Sequence, residues 1–405
     1  MKPETRDAAS YRRGGPPPPP APEPRLRRPR GAARRLRLPI PVCEPVLRGN
    51  ELRYVTRCVR SGWISSIGPM VGEFESAFAR RLGVAEAVAC SSGTAALHLV
   101  LAASGLGPGD EIIVPAFTMA AVANAALYVG ARPVLADVDP VTWNVDPDDA
   151  RRRVTRRTKA LLAVHTYGVP APMTALARLA RERGLLLLED AAEGLGGEWD
   201  GRPAGAWGKA AAFSLYANKV VTTGEGGVVA TSDRAFASRV RTLRDHGFSA
   251  DRHFWHRVVG FNYRMTSLQA AVGLAQLERF DALLEGRRRV ARLYRAALAG
   301  VPGLTLPPVV PGTRSSDWVF GVLVGPAFGL TRDALRARLA ARGVETRSFF
   351  TPLNLQPAYA RLFRGQRRRV SEALGHNGLY LPSSSGLSAE RVAYVASCVR
   401  SAARP

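Results

Sequence analysis

An α/β fold on a mostly parallel sheet, with a smaller α+β region behind it, follows from three features of this 405-residue chain. Short apolar runs alternate with helix-like segments from residue 85 to 232, as in a parallel sheet covered by helices on both faces. The apolar runs, such as Leu185 to Leu188, are apolar throughout rather than alternating, which fits strands buried on both sides. After Gln269 the rhythm stops and longer helical spacings take over.

Taken in order, residues 87–90 predict a strand and 94–103 the helix behind it. Further strands are expected at 111–116, 133–138, 159–165, 185–189, 211–216 and 227–231, with helices at 119–129, 146–154 and 173–183. A long helix over 267–284, continued by 290–298 beyond Arg287, Arg288 and Arg289, opens the second region. Residues 301–315 are rich in Pro and Gly and read as a connection. A strand at 318–324, a helix at 332–341, a strand at 346–350 and an amphipathic helix at 389–401 follow. The division expected is a large domain over 39–285 and a small domain over 286–405, each able to hold its own core.

Residues 1–38 carry eleven Lys/Arg against three Asp/Glu, include Pro16 to Pro20 and Pro22, and contain almost no large apolar residue. Such a segment cannot bury a core and is expected to be a disordered basic tail, either idle or touching acidic partners. It lacks the apolar stretch of a secretory signal. The rest of the net charge of +24 is spread over an arginine-rich chain with no basic stripe interleaved with aromatics, so nucleic acid is not the expected partner. The positive balance does suit a nucleotide diphosphate. Cys43, Cys58, Cys90 and Cys398 lack metal-type spacing and read as reduced thiols of a cytoplasmic protein. No apolar run is long enough to span a membrane.

The chemistry concentrates at the expected carboxyl ends of strands, where open α/β sheets bind ligands. Lys219 closes the run Phe213-Ser214-Leu215-Tyr216-Ala217-Asn218-Lys219 and precedes Thr222-Thr223-Gly224-Glu225-Gly226-Gly227. A desolvated lysine sheds its proton, and a neutral amine can form a Schiff base with an aldehyde. Ser214 and the glycine-rich turn suit a phosphate, so the stretch fits pyridoxal phosphate (PLP); it also fits a surface lysine at a strand end. Ser91-Ser92-Gly93-Thr94 between strand and helix offers free N–H groups to an oxyanion, or a plain helix cap. Asp190, at the end of an apolar strand, needs a cationic partner, which a protonated pyridine nitrogen supplies; a helix-capping aspartate is the alternative. Glu193 could reach the ring hydroxyl or the substrate, or be structural. Asn262, between Phe261 and Tyr263, could reach a phosphate or cap the next helix.

These runs resemble the DegT-type sugar aminotransferases, a branch of the fold-type I PLP enzymes, from about Ile40 to Val399. The resemblance rests on Ser61 to Gly68, Ser91 to Leu97, Gly107 to Thr118, Val164-His165-Thr166-Tyr167-Gly168, Glu189 to Glu193, Phe213 to Gly227 and Gly260 to Met265, in that order. It implies that Lys219 carries the cofactor, that Asp190 holds its ring nitrogen, and that Ser214, Gly93 and Thr94 bind its phosphate. It further implies a homodimer with shared active sites, in which Asn262 binds the phosphate of the neighbouring subunit's cofactor, and glutamate as amino donor. Met119 stands where the family usually has an aromatic stacked on the cofactor; a thioether packs there more weakly. Trp63 to Gly68, Glu193 in place of the more common glutamine, Tyr216 to Lys219, and Trp255-His256 resemble the branch that aminates GDP-4-keto-6-deoxymannose. Thr351 and Asn354 depart from that branch, which tends to have histidines there, so a 3-amino product or a dTDP- or UDP-linked ketosugar stays open. A non-catalytic regulator of the same fold and a sugar dehydratase are the remaining readings; the dehydratases replace the lysine with histidine, and Lys219 is present.

Overall fold

Seven strands whose side chains are apolar on both faces make the central sheet of the computed structural model, which describes residues 38–249, 251–252 and 254–403. They are β1 (Glu86–Cys90), β2 (Glu111–Pro115), β3 (Arg132–Ala136), β4 (Thr158–Val164), β5 (Leu186–Asp190), β6 (Ala210–Ser214) and β7 (Gly227–Thr231). Their order is β1-β7-β6-β5-β4-β2-β3. The pairs β2/β3, β2/β4, β4/β5 and β5/β6 are parallel, and β7 runs antiparallel to both β6 and β1. The carboxyl ends of β1, β5 and β6 therefore share one edge of the sheet. β2 and β7 are buried along their whole length, as the lack of alternation predicts. The expected mostly parallel sheet between helices is thus the observed one. The expectation of a disordered tail falls on residues outside those described, apart from Leu38.

The helix Gly93–Ala103 packs on β6 and β7 and starts where β1 ends. Its start is fixed by Ser92, whose side chain accepts the Ala95 N–H at 3.1 Å. On the opposite face, Phe74 and Phe78 from the helix Pro69–Leu82 pack with Phe213 of β6, whose ring meets that of Phe78 edge-on at 5.1 Å. That helix, and Glu51–Ser61, Arg234–Arg244 and Arg369–Asn377, were not expected from periodicity, although Pro69 at its start and left-handed Gly83 at its end are ordinary boundary signals.

Four expectations are corrected in detail. The helix expected over 119–129 is Ala121–Tyr128, leaving Met119 on the preceding turn. The strand expected over 211–216 ends at Ser214, because Leu215 and Thr223 turn back to bond each other and Gly226. The long helix breaks at Arg279, where ψ is 13°, rather than at the basic run; Ser267–Glu278 ends there and Phe280–Leu298 begins. Arg287, Arg288 and Arg289 do not interrupt this second helix, since arginine is a good helix former; the Arg287 head is buried and bonded to main-chain carbonyls. The strand expected over 346–350 is only Arg347–Ser348, the edge of an antiparallel sheet ordered Leu304–Thr305, Phe320–Val324, Gly378–Leu381, Arg347–Ser348.

Candidate active site

At the shared carboxyl edge of β1, β5 and β6 opens a cleft of about 400 Å³. It is lined by Gly93, Thr94, Met119, Asp190, Glu193, Ser214 and Lys219, seven of the eight residues expected at the site, from four separate stretches of chain. Parallel topology brings them together: each stretch leaves the sheet at its carboxyl edge.

Lys219 sits on the turn after β6, with its side chain only 12% exposed. Its Nζ lies 3.7 Å from the centre of the Trp318 ring and 3.6 Å from Glu193 Oε1. Burial pushes the amine below the ordinary lysine range, and outweighs the opposing pull of Glu193 and Asp190. Glu193 answers in the other direction. Burial raises it to about 7, although Lys219 and the Tyr167 N–H, which donates to Oε2 at 2.7 Å, favour its ionised form. Asp190 is 4% exposed; burial raises it too, against the Ala192 N–H that donates to Oδ1 at 3.0 Å and the nearby Lys219. The cleft thus holds two carboxylates around one amine, each displaced toward its uncharged form.

The floor beneath Asp190 is rigid. Ala171 N–H donates to His165 Nδ1, so Nε2–H donates to Glu189 Oε2, at 3.0 Å each. Glu189 also accepts N–H bonds from Gly205, Trp207 and Gly208, all at 2.7 Å. His165 N–H in turn donates to Asp190 O at 3.1 Å. These bonds satisfy the buried Glu189 carboxylate on both oxygens.

The anion cradle lies across the cleft. The backbone at Gly93 approaches Ser214 so closely that a Cβ there would come within 2.7 Å of Ser214 Cβ, and a Cβ on Gly227 would fall 2.2 Å from Ser92 O. This leaves the Ser214 hydroxyl beside the open N-terminus of the helix Gly93–Ala103, a donor set that suits a phosphate without a basic side chain. Thr118 and Asn218 are on the lining, and their buried Oγ1 and Oδ1 atoms have no hydrogen-bond partner among the described residues. The residues fit PLP: a cradle for its phosphate, a carboxylate for its ring nitrogen and a buried amine for its aldehyde.

Asn262 is the exception. It is exposed and is not part of the cleft of its own chain, although Ser91 N–H to Tyr263 O at 2.8 Å ties its run to the strand end beside the cradle. Met119 lines the cleft at 55% exposure. Of the departing segment, Phe350 lines the cleft and Thr351 and Asn354 do not; Asn354 Nδ2 donates to Glu372 Oε1 at 2.8 Å and to Gln366 O at 3.2 Å. Sequence reading missed Tyr380 and Arg347, which close the cleft from the small sheet, and Trp318, just before its strand Phe320–Val324; none bears a local motif. Tyr167 was within a quoted run but without a role. It takes a left-handed backbone (φ 54°), aims its N–H at Glu193, and accepts the Phe350 N–H on its hydroxyl at 2.9 Å.

One consequence concerns Glu193. Its carboxyl lies higher in the folded protein than in the unfolded chain, so the folded protein holds a proton that the unfolded chain has lost. Its contribution to stability is full below about pH 4.5 and is lost as pH rises through about 7. In the cofactor-free protein, Glu193→Gln is expected to remove a fall on the order of 1–3 kcal/mol across that window. Urea unfolding at pH 4.5 and pH 8 measures it, and equal pH dependence in both proteins contradicts it.

The fold and the cleft define a class, the PLP-dependent sugar aminotransferases, and comparison with known proteins agrees. The model of the DegT/DnrJ/EryC1/StrS aminotransferase family matches residues 45–400, and the chain belongs to that family. Among curated relatives, a GDP-perosamine synthase of Caulobacter vibrioides is 45% identical over 86% of this chain and 94% of its own. One of Vibrio cholerae is 38% identical over 89% and 98%. Among solved structures, the PLP-form of the sugar aminotransferase Spr1654 of Streptococcus pneumoniae is 27% identical, with a TM-score of 0.84 over 90% of this chain and 98% of that one.

Proposed function

We propose that this enzyme moves the amino group of glutamate to C4 of GDP-4-keto-6-deoxymannose. The observation that carries the reading is the Lys219 amine, buried and pushed toward neutrality at the head of a phosphate-sized cradle, with Asp190 behind it. The similarity to GDP-perosamine synthases supports the choice of sugar.

When bound, PLP supplies an aldehyde that captures amines and a ring that draws electrons from the carbon beside the captured nitrogen. Gly93, Thr94 and Ser214 would hold its phosphate, Asp190 its ring nitrogen, and Met119 one face of its ring. Lys219, once its amine is free and neutral, takes a proton from the donor carbon and returns one to the cofactor side, as base and then acid. Burial lowers the hold of that amine on its proton. Glu193 sits where it can share a proton with that amine. Arg347 adds a cation to the cleft lining, as befits two anionic substrates.

Two further features belong to this reading. A second copy would cover the exposed apolar side chains of Trp63, Ile64 and Ile67 on one loop and Trp255, Val258 and Val259 on another, and would find Asn262 already exposed. The four free cysteines suit the cytoplasm, and no helix among the described residues is long and apolar enough to cross a membrane.

The test is to incubate the PLP-loaded enzyme with glutamate and GDP-, dTDP- or UDP-linked 4-keto-6-deoxyhexoses and to locate the new amine by NMR. A 4-amino product from the GDP-linked mannose derivative is expected. Exclusive turnover of a dTDP- or UDP-sugar, or an amine at C3, refutes the choice of substrate.

A further inference from the structure

Arg287 is 2% exposed in the middle of the helix Phe280–Leu298, and among the described residues its head meets carbonyls and a thiol rather than a carboxylate. Nη1 donates to Trp318 O at 2.9 Å and to Ser383 O at 2.6 Å. Nη2 donates to Asn218 O at 2.9 Å and, more distantly, to Lys219 O at 3.5 Å; it meets Cys43 Sγ at 3.3 Å. Nε–H has no hydrogen-bond partner among the described residues. Burying a cation without a counter-ion is costly, and an apolar side chain of similar length would cost less. What the guanidinium provides is a planar fork that grips several oxygens in fixed directions, which an apolar chain cannot do.

Those directions converge on the reactive lysine. The Asn218 carbonyl accepts from three donors: Arg287, Trp318 Nε1 at 2.9 Å and Cys43 Sγ at 3.3 Å. That carbonyl belongs to the peptide whose nitrogen is Lys219 N, and this N–H donates to Tyr216 O at 2.9 Å. The peptide is therefore held at both ends. The same guanidinium holds the carbonyl of Trp318, whose ring lies 3.7 Å from Nζ. We infer that Arg287 is a positioning residue: it fixes the main chain of Lys219 and of Trp318 relative to each other, and so sets where the lysine amine can reach. The inference rests on the reading that Lys219 carries the cofactor.

The experiment uses PLP-loaded Arg287→Met and Arg287→Lys enzymes. Three quantities are read: the midpoint of the pH titration of the visible band, kcat and KM for both substrates, and the thermal unfolding midpoint. Each variant is expected to keep a visible band whose midpoint moves by about half a pH unit or more, with kcat down about tenfold or more and both KM values within about twofold. Arg287→Lys keeps the charge but loses the fork, so it carries the test even where the methionine variant fails to fold. A folded lysine variant with the wild-type titration and kcat overturns the inference, as does one whose unfolding midpoint alone has moved. A wild-type enzyme with no lysine-dependent band overturns the underlying reading instead.

Discussion

Lys219→Ala is expected to leave a folded protein that binds PLP without the visible absorbance of lysine-bound cofactor and that turns over at least about 10⁴-fold more slowly. The side chain lies in a cleft, above the Trp318 ring, and among the described residues Nζ makes no structural hydrogen bond beyond its approach to Glu193. Removing it takes away a buried amine and spares the Lys219 N–H to Tyr216 O bond that shapes the turn. The loss is therefore chemical rather than architectural. Glu193 is poised near neutrality at about 7 and faces the same space, so it is the group that would sustain any residual proton transfer. Absorbance spectra, borohydride trapping with peptide mapping, and steady-state rates measure the outcome. Wild-type turnover by the alanine variant, or a reduced cofactor adduct at another lysine, removes the catalytic assignment.

Asp190→Asn is the second large effect, and its logic differs. The asparagine keeps an oxygen to accept the Ala192 N–H, so the turn after β5 survives. It loses the negative charge that would keep a ring nitrogen protonated, and a neutral ring draws electrons poorly. Turnover is expected to fall about 10²- to 10⁴-fold while cofactor remains attached to Lys219. Restoration of rate by a cofactor analogue carrying a permanent positive charge at the ring nitrogen is the corresponding gain. Failure of such rescue in a folded, cofactor-loaded variant contradicts the role given to Asp190. The fold makes this carboxylate hard to replace from elsewhere: the Glu189 charge one residue before it is already consumed by three N–H groups and His165.

How far the site was legible depended on how local each signal is. Ser92 and Gly93 follow a strand and open a helix, a pattern confined to a few residues, and their role in a cradle can be read from that order alone. Asp190 ends an apolar strand and Lys219 lies on the turn after another, so an ionisable group beside an apolar run was visible within one short stretch. Trp318 and Arg287 were not legible. Trp318 follows a Pro- and Gly-rich connection without a motif, and Arg287 looks like one of three surface arginines on a helix. Arg288 and Arg289 beside it do bond carbonyls from partly exposed positions, so nothing in the triplet itself singles out the buried one. The helix break at Arg279 was also hidden, because apolar spacing continues on both sides of it.

The sequence by itself determined the α/β class, the order of the sheet-forming runs, and the identity of the ionisable groups that end them. It could do so because hydrophobic periodicity and turn chemistry act over a handful of neighbouring residues. Only the tertiary structure decided that Trp318 would lie under the Lys219 amine, that Tyr167 would hold Glu193, that one buried guanidinium would brace the lysine's peptide, and that Asn262 would be exposed outside the lining of its own cleft. The contacts among these join residues 26 to 99 positions apart. They depend on how the helices and the small sheet close over the strand ends, and short stretches of chain carry no record of that closure.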